Sequence, residues 1–517
     1  MDEGNGGVNV KKFLDTLDKT KIKYIGKGIL VGTLAGIVVS VFRLWIEKIG
    51  EILPVIYQYL KVQPIFLIPW TILMLLCAIV VGALIKSEPN IKGSGIPQVE
   101  GQLKDEISVL WWSVLWKKFI GGILSVGTGL FLGREGPSIQ LGASCAQGVA
   151  TKMKAGKSEE KILLSSGAAA GLAAAFNAPV AGLLFVVEEV HHNFSPLVWL
   201  TSFAAALMSN FVSLTIFGLQ PVLHLGDIPS LPLRHYWLLI LLGIVLGILG
   251  RFYQVILLAL EKWYGFLPLP AHLRGIIPFL LVIFVGLFFP NYLGGGNQII
   301  IALGQHSPTL IALFGLLSLR FIFSMVSYGS GLPGGIFLPI LTLGAIIGSL
   351  FANCAVIFFG LEPTFVKDFI VIAMAGYFAA IGKAPLTAII LVTEMVGSLV
   401  HLMPLGLTAL VAYVVVDILG GDPIYEALLE RLVKGKKTHL TGQRTTVEIP
   451  VLAGSKLDGT LVRDFDWPNH MLLALLRRGD REILPHGDTV IKMGDTLEIL
   501  TDTTHAGDIV RTINEQM

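Results

Sequence analysis

Charged residues are scarce in this chain, and their scarcity excludes an ordinary soluble protein. Only 14% of its 517 residues are Asp, Glu, Lys or Arg, and 54% are hydrophobic. Soluble domains average about 25% charged residues. The formal net charge is only +2, and no basic tract indicates a nucleic-acid partner. The composition therefore predicts an all-α polytopic membrane protein with no role in nucleic-acid binding.

Cysteines are few, and a cleaved secretory signal is not evident. Cys77, Cys145 and Cys354 lie far apart in apolar sequence, which favours buried free thiols over a disulfide framework. Residues 1–28 are polar and lack a short apolar region with a cleavage site, so we expect no cleaved signal. Lysines before the first apolar segment predict a cytoplasmic N-terminal segment. They are Lys11, Lys12, Lys19, Lys21, Lys23 and Lys27.

Long apolar segments follow, and many are interrupted by glycine or proline. One crossing of a bilayer needs about 20 residues, and several of these segments have awkward lengths for that. Such broken segments are typical of half-helices that end inside a transporter and form ion sites. The segments lie near 29–49, 63–84, 107–132, 161–187, 197–218, 236–260, 274–289, 308–326, 335–359, 368–396 and 402–419.

An internal repeat is visible in two apolar segments. Residues 177–188 and 383–394 both place Ala-Pro after their first residue and end in glutamate. At nearly the same separation, a proline followed by Leu-Gly-Ala occurs at 137–143 and again at 339–345. Two matched pairs at one spacing predict two related halves with a site at their interface. Chance similarity between apolar helices is the alternative.

A charged, glycine-framed stretch, Gly-Arg-Glu-Gly-Pro at 133–137, interrupts apolar sequence. Pro137 suits a first helical turn because its missing N–H would have no intrahelical partner there. Unpaired N–H groups at a helix N-terminus carry partial positive charge and can hold an anion. Glu135 would then lie where an anion binds, and an ionisable residue at membrane depth usually marks a pathway. A charged loop outside the bilayer is the alternative.

Two further stretches have similar features. Residues 91–97 combine glycines and a proline with Ser94, whose hydroxyl can donate to an anion without adding charge; an ordinary turn is the alternative. Residues 327–339 contain G-x-G-x-x-G, but without a preceding strand or a βαβ unit we reject a dinucleotide site. As a hinge before a helix, this stretch offers the backbone N–H groups of Ile336 and Phe337 to an anion.

An enzyme hypothesis rests on two overlapping Glu-x-x-His spacings formed by Glu188, Glu189, His191 and His192, since such spacings on bundle helices can bind two metals. A di-metal site needs a second Glu-x-x-His and further carboxylates, and the sister segment ends in Glu-Met-Val-Gly at 394–397, with no histidine at that spacing. We therefore expect no enzymatic activity and no metal or other cofactor, with the histidines at a solvated helix end.

The composition changes after Leu419. A basic linker, residues 431–444, leads to a small soluble α+β domain at 445–517, which begins in the cytoplasm by the same charge rule. Alternating residues predict strands at 446–451 and 496–500. Turn signals occur at 479–480 and 494–495.

The three glycine-rich stretches at 93–97, 133–137 and 335–339, in this order, resemble the signature motifs of the CLC family of chloride channels and chloride/proton antiporters. The repeats at 177–179 and 383–385 fall where that family places them. The resemblance covers roughly residues 29–430. It implies two inverted repeats with many tilted and partial helices, and a homodimer in the cell membrane with one anion pathway per subunit.

Carried over by motif, the resemblance assigns a central chloride site to four residues. The hydroxyls of Ser94 and Tyr425 would contact the anion together with the backbone N–H groups of Ile336 and Phe337. Relatives with serine at position 94 usually favour chloride, whereas nitrate-selective relatives have proline there.

The resemblance also assigns roles to two acids. Glu135 would be the external gate, and Glu189 matches the internal glutamate with which family antiporters pass protons inward. These residues imply a chloride/proton antiporter, with a passive voltage- or pH-gated chloride channel of the same fold as the alternative. A cation channel is disfavoured because no Thr-Val-Gly-Tyr-Gly filter occurs.

The tail, residues 445–517, resembles the C-terminal domain of RCK-type (TrkA-C) potassium-transport regulators, chiefly around 483–490 and 493–494. It does not resemble the paired CBS domains of many eukaryotic members. The resemblance implies a cytosolic regulatory domain that binds a small ligand.

Overall fold

The computed structural model describes residues 19–191, 194–226, 228–306, 308–433, 444–468, 471–479, 481–502 and 505–516. Most of the expected N-terminal segment (1–18), most of the basic linker (434–443) and His192 lie outside these residues. By its internal contacts the chain divides into two compact units. The first ends at Ile96 and resumes from Trp111 to Ile424, and the second comprises Pro97–Leu110 and the chain from Tyr425 onward.

The part of the chain expected to cross the membrane is helical throughout its long segments. Its earlier helices are α1 (Lys19–Val62), α2 (Leu67–Ser87), α3 (Ile96–Leu103), α4 (Trp111–Gly127), α5 (Glu135–Lys152), α6 (Lys157–Phe176), α7 (Pro179–Phe185) and α8 (Pro196–Phe217). The later ones are α9 (Tyr236–Gly265), α10 (Ile276–Phe288), α11 (Asn297–Gln305), α12 (Leu310–Gly329), α13 (Phe337–Phe359), α14 (Val366–Gly382), α15 (Pro385–Val396), α16 (Leu402–Ile418) and α17 (Ile424–Val433).

Membrane crossing is supported by the length and surface of these helices. Among the described residues, 8 helices are long and apolar enough to span a bilayer. Large apolar side chains such as Trp45, Ile68 and Phe284 are exposed on their outer faces, as a lipid solvent allows. The helix predicted from the segment 29–49 is much longer than that segment, because α1 has 44 residues and continues through Pro54.

The predicted breaks inside two long segments are confirmed. Segment 161–187 divides into α6 and α7, and segment 368–396 divides into α14 and α15. At each break a non-glycine residue adopts a left-handed conformation, Asn177 with φ 54° and Lys383 with φ 57°. A proline then begins the next helix, where it lacks only an N–H that has no intrahelical partner.

The two halves pack their central helices in the same way. Gly142 on α5 lies so close to α6 that a Cβ there would be 3.0 Å from the backbone nitrogen of Gly171. In the second half, a Cβ on Gly344 of α13 would be 2.8 Å from the carbonyl oxygen of Ala373 on α14. Small residues permit this backbone approach, which is how membrane helices gain contact area. The packing agrees with the predicted repeat.

The second unit contains a mixed domain, as predicted. Its antiparallel sheet has the order β1-β4-β2-β3, from β1 (Arg444–Pro450), β2 (Met471–Arg478), β3 (Arg481–Ile483) and β4 (Asp495–Asp502). Helix α18 (Ala506–Gln516) covers it, burying Ile509 and Ile513 in the domain's apolar core. The strands predicted at 446–451 and 496–500 correspond to β1 and β4, whereas β2 and β3 were not predicted.

Candidate functional site

Two of the three glycine-rich stretches are hydrogen-bonded to each other. Gly133 and Gly335 form an isolated antiparallel bridge in which the N–H of each donates to the carbonyl of the other at 2.7 Å. This bridge joins the residue two positions before α5 to the residue two positions before α13. The N-termini of one helix from each repeat are thereby held together.

The third stretch joins them through Gly93. The N–H of Gly334 donates to the Gly93 carbonyl at 3.0 Å, and the N–H of Gly93 donates to the Gly331 carbonyl at 3.3 Å. A Cβ on Gly136 would be 3.1 Å from the Cα of Ser94. Only glycine permits so close an approach. The structure therefore brings Ser94, the start of α5 and the start of α13 to one place.

Ser94 has an unused hydroxyl at this place. Its side chain is 1% exposed, and its Oγ has no hydrogen-bond partner among the residues that the structure describes. A buried hydroxyl without a partner costs free energy unless a ligand or water supplies one. The hydroxyl is therefore available to a bound anion.

A buried lysine that sequence reasoning missed supports the Ser94 loop. Lys118 on α4 is 0% exposed, and its ammonium donates to the carbonyls of Ile91 at 2.9 Å and Gly93 at 2.7 Å. These bonds hold the residue just before Ser94. They also place the side-chain nitrogen of Lys118 behind the loop, where it supports the site without being a direct ligand. Two adjacent lysines, Lys117 and Lys118, inside the apolar segment 107–132 were the signal that could have found it.

Helix α13 begins with backbone donors that the helix does not use. Its first intrahelical bond runs from the N–H of Ile340 to the carbonyl of Ile336 at 2.9 Å, so the N–H groups of Ile336 and Phe337 precede it. The Phe337 ring is held by Phe176, Phe185 and Phe378, at centroid distances of 5.4, 5.9 and 4.3 Å. These rings hold the Phe337 side chain in place at the start of α13.

Glu135 is the first residue of α5 and is 0% exposed. Its carboxylate folds over Gly133 towards the backbone N–H of Leu338 in the first turn of α13. Neither carboxylate oxygen has a hydrogen-bond partner within the described part of the chain. The carboxylate thus lies beside backbone N–H groups at a helix N-terminus, where an anion is favoured.

An ion-pair network surrounds the neighbouring Arg134. Its Nη1 lies 2.7 Å from Glu47 Oε1, whereas its Nε lies 3.9 Å from Glu135 Oε1. Arg43 also contacts Glu47, with Nε 3.0 Å from Oε1. Glu47 therefore takes the direct pairing of Arg134, and Glu135 receives only a longer-range attraction. No local feature of the sequence indicates this network.

The two adjacent glutamates after α7 have different environments. They lie in a π-helical turn, Val186–Val190, in which Glu189 is 4% exposed. The carboxylate of Glu188 leaves this turn and accepts hydrogen bonds from the N–H of Leu386 at 3.1 Å and of Thr387 at 2.7 Å. Glu188 is thus occupied as a cap for α15, and Glu189 is the buried acid.

The sister glutamate makes the reciprocal cap. Glu394, near the end of α15, accepts from the N–H of Val180 at 3.2 Å and of Ala181 at 2.8 Å, both in the first turn of α7. Each repeat therefore caps a helix of the other with a carboxylate. The predicted repeat placed the two glutamates in equivalent positions but gave no sign of this exchange.

The metal hypothesis finds no support in the geometry. Glu188 caps a helix, and His191 Nδ1 lies 2.8 Å from Ser165 Oγ. Within the residues that the structure describes, no group of three or more His, Cys, Asp or Glu side chains could hold a metal ion. The remaining predicted site residue, Tyr425, lies in α17 in the second unit and is 1% exposed.

Known protein families match both parts of the chain. A family model described as voltage gated chloride channel matches residues 76–417, and the TrkA-C domain matches residues 446–513. Relatives from Salmonella arizonae and Salmonella schwarzengrund, both named H(+)/Cl(-) exchange transporter ClcA, are each 34% identical over 428 residues. Each alignment covers 80% of this chain and 89% of the relative.

Solved structures agree with this family. A slow cyanobacterial Cl-/H+ antiporter is 32% identical with a TM-score of 0.75, covering 80% of this chain and 98% of the antiporter. A eukaryotic CLC transporter, 21% identical with a TM-score of 0.66, covers 80% and 74% and supports the fold alone. The chain therefore belongs to the CLC family of voltage gated chloride channels and transporters, and it carries a TrkA-C domain after the family's membrane domain.

Proposed function

We propose that this protein exchanges chloride for protons across the cell membrane. The observation that carries the proposal is the Glu135 carboxylate, which lies buried beside the backbone N–H groups at the N-terminus of α13. An anion attracted by the same N–H groups would compete with it, and protonation would release it. A group that alternates between blocking the anion and carrying a proton couples the two fluxes. The relatives named as H(+)/Cl(-) exchangers support this assignment.

Chloride binds in this proposal at Ser94, Tyr425 and the N–H groups of Ile336 and Phe337. None of these donors carries a full charge, and Lys118 holds the Ser94 loop from behind through its hydrogen bond to the Gly93 carbonyl. Such a site holds an anion moderately and lets it leave, which transport requires. Glu189 exchanges protons with the cytoplasm, because it is a buried acid in the turn that follows α7.

The proposed organisation follows the family. Residues 29–430 form the transmembrane domain of a homodimer in the lipid membrane, and residues 1–28 and 431–517 lie in the cytoplasm. Residues 431–444 link to a regulatory domain at 445–517 that binds a small cytosolic ligand. The match of residues 446–513 to the TrkA-C domain supports this function of the tail.

The proposal is tested with purified protein in liposomes that hold a chloride gradient. We expect chloride flow down its gradient to drive protons uphill in the opposite direction, followed as a change of internal pH. Collapse of the pH change by a protonophore, with chloride flux continuing, is the control for coupled movement. Chloride flux without proton movement would contradict the exchanger and establish a passive channel instead.

Ser94 should set the preference between chloride and nitrate. A hydrogen bond to a charged group contributes about 1.5–3 kcal/mol, so loss of the hydroxyl should weaken chloride binding roughly tenfold or more. Ser94→Pro should shift the preference toward nitrate in competition flux measurements. Ser94→Ala is the matched control, because it removes the hydroxyl but keeps the backbone N–H. An unchanged chloride-to-nitrate ratio in both variants would contradict the proposed site.

A further inference from the structure

The turn after α3 is tied to that helix. The N–H groups of Glu106 and Ile107 both donate to the carbonyl of Gly101, at 2.8 and 3.0 Å. Asp105, which precedes Glu106 in the turn, has a left-handed backbone conformation with φ 60°. These bonds close the turn formed by residues 104–106 against the last turn of α3. A displacement of this turn is therefore passed directly to the helix.

The same turn joins α3 to α17. The ammonium of Lys104 lies 2.8 Å from Glu100 Oε1 on α3 and 3.0 Å from Glu426 Oε1 on α17. A Cβ on Gly101 would be 2.8 Å from Leu429 Cδ1, so the two helices also touch through apolar atoms. Glu100 is buried, and the Coulomb attraction between its carboxylate and Lys104 is larger there than it would be in water.

The last helix of the tail domain contacts this turn. A Cβ on Gly507, at the start of α18, would be 3.0 Å from the Cγ of Glu106. Two charged residues further along α18 also act on Glu106, Arg511 by attraction and Asp508 by repulsion. Because Ile509 and Ile513 anchor α18 in the domain's core, a movement of the sheet must move α18. All of these residues belong to the second unit.

We propose that the tail domain regulates anion transport through the contact between α18 and the turn at residues 104–106. The inference rests on the proposed function for its readout. Helix α3 begins at Ile96, two residues after Ser94, and α17 carries Tyr425 next to Glu426. The contact between α18 and the turn is therefore connected both to α3, which begins near Ser94, and to α17, which carries Tyr425. Ser94 and Tyr425 supply the two hydroxyl donors of the proposed chloride site. A ligand that repositions the tail domain would act on both donors together.

A disulfide across the contact tests the proposal in the full-length protein. In Glu106→Cys/Gly507→Cys the side chain at 106 becomes shorter, which makes room for the new one at 507. A protease site inserted between residues 436 and 441 allows the linker to be cut. If the disulfide has formed, the cut tail still migrates with the membrane domain on a non-reducing gel. We expect oxidation to lower chloride flux about fivefold or more, the lower range of typical coupling between sites, and reductant to restore it. The single variants Glu106→Cys and Gly507→Cys control for the native cysteines.

Two outcomes would overturn this inference. Absence of the cross-link would show that the contact does not form, and a cross-link without any change in flux would show that it transmits nothing. Chloride flux alone is the readout, so a failure of proton coupling in the unaltered protein would count against the exchanger and not against this contact.

Charge reversal gives a second test that needs no oxidation. Glu106→Lys and Arg511→Glu should each change chloride flux by placing like charges together, and the double variant should return flux towards that of the unaltered protein. Strictly additive effects of the two reversals would contradict the contact. The folding of each single variant is checked separately, by its expression and its elution as a monodisperse peak in size-exclusion chromatography.

Discussion

Glu135→Gln is expected to move chloride at all pH values and to carry no protons. The amide has nearly the shape of the carboxylate but cannot take up and release a proton. It also cannot compete with chloride as a like charge, so the gate should stay open and flux should lose its pH dependence. The measurement is paired chloride and proton flux in liposomes over a range of external pH, with proton flux falling to the level of empty liposomes.

The control for this substitution is an exposed glutamate on another helix. Glu51 on α1 pairs with Lys48 at the surface, so Glu51→Gln removes a carboxylate without touching the glycine-rich loops. Both fluxes should stay as in the unaltered protein. Proton transport that survived in Glu135→Gln would exclude Glu135 as the proton carrier, and a complete loss of chloride flux would exclude it as the gate.

Glu189→Gln is expected to stop proton movement while chloride continues to flow. Glu189 is buried at the π-helical turn after α7, and an amide there cannot accept a proton from the cytoplasm. Unlike Glu135, it belongs to none of the three glycine-rich stretches, so the anion site should remain intact. Chloride flux without uphill proton movement, measured in liposomes, is the expected result.

The matched control is the preceding residue. Glu188→Gln keeps a carbonyl oxygen that can accept from the N–H groups of Leu386 and Thr387, so the cap on α15 should survive. Proton coupling should be largely retained. Loss of coupling in Glu188→Gln together with retention in Glu189→Gln would reverse the assignment of the two acids.

Local sequence features were enough to predict the frame of the proposed site. Glycine and proline mark places where a helix begins or the backbone approaches closely, and these features depend on neighbouring residues alone. The stretches around Ser94, Glu135 and Phe337 were therefore identified before their contacts were known. The breaks at Asn177 and Lys383 agree with the general expectation of segments interrupted by glycine or proline, because a proline lies two positions after each of them.

Polar contacts across the fold could not be predicted in this way. Glu188 and Thr387 are 199 positions apart in the chain, and Arg134 and Glu47 are 87 apart. Nothing near either partner indicates which remote group will satisfy it. Strand β2 was missed for a different reason. Its sequence, Met-Leu-Leu-Ala-Leu-Leu, is a continuous apolar run in which periodicity does not separate a buried strand from a helix.

The exchanged caps of Glu188 and Glu394 have a consequence for the way the two repeats depend on each other. Glu188 contacts the start of α15 while Glu394, on α15, contacts the start of α7, which leads into Glu188. A contact in which each side offers the same patch to the other is the isologous interface of a twofold dimer. Here it occurs inside one polypeptide. The N–H groups at the start of α7 and of α15 are each capped by a carboxylate from the opposite repeat. The two repeats therefore depend on each other as the two subunits of such a dimer do.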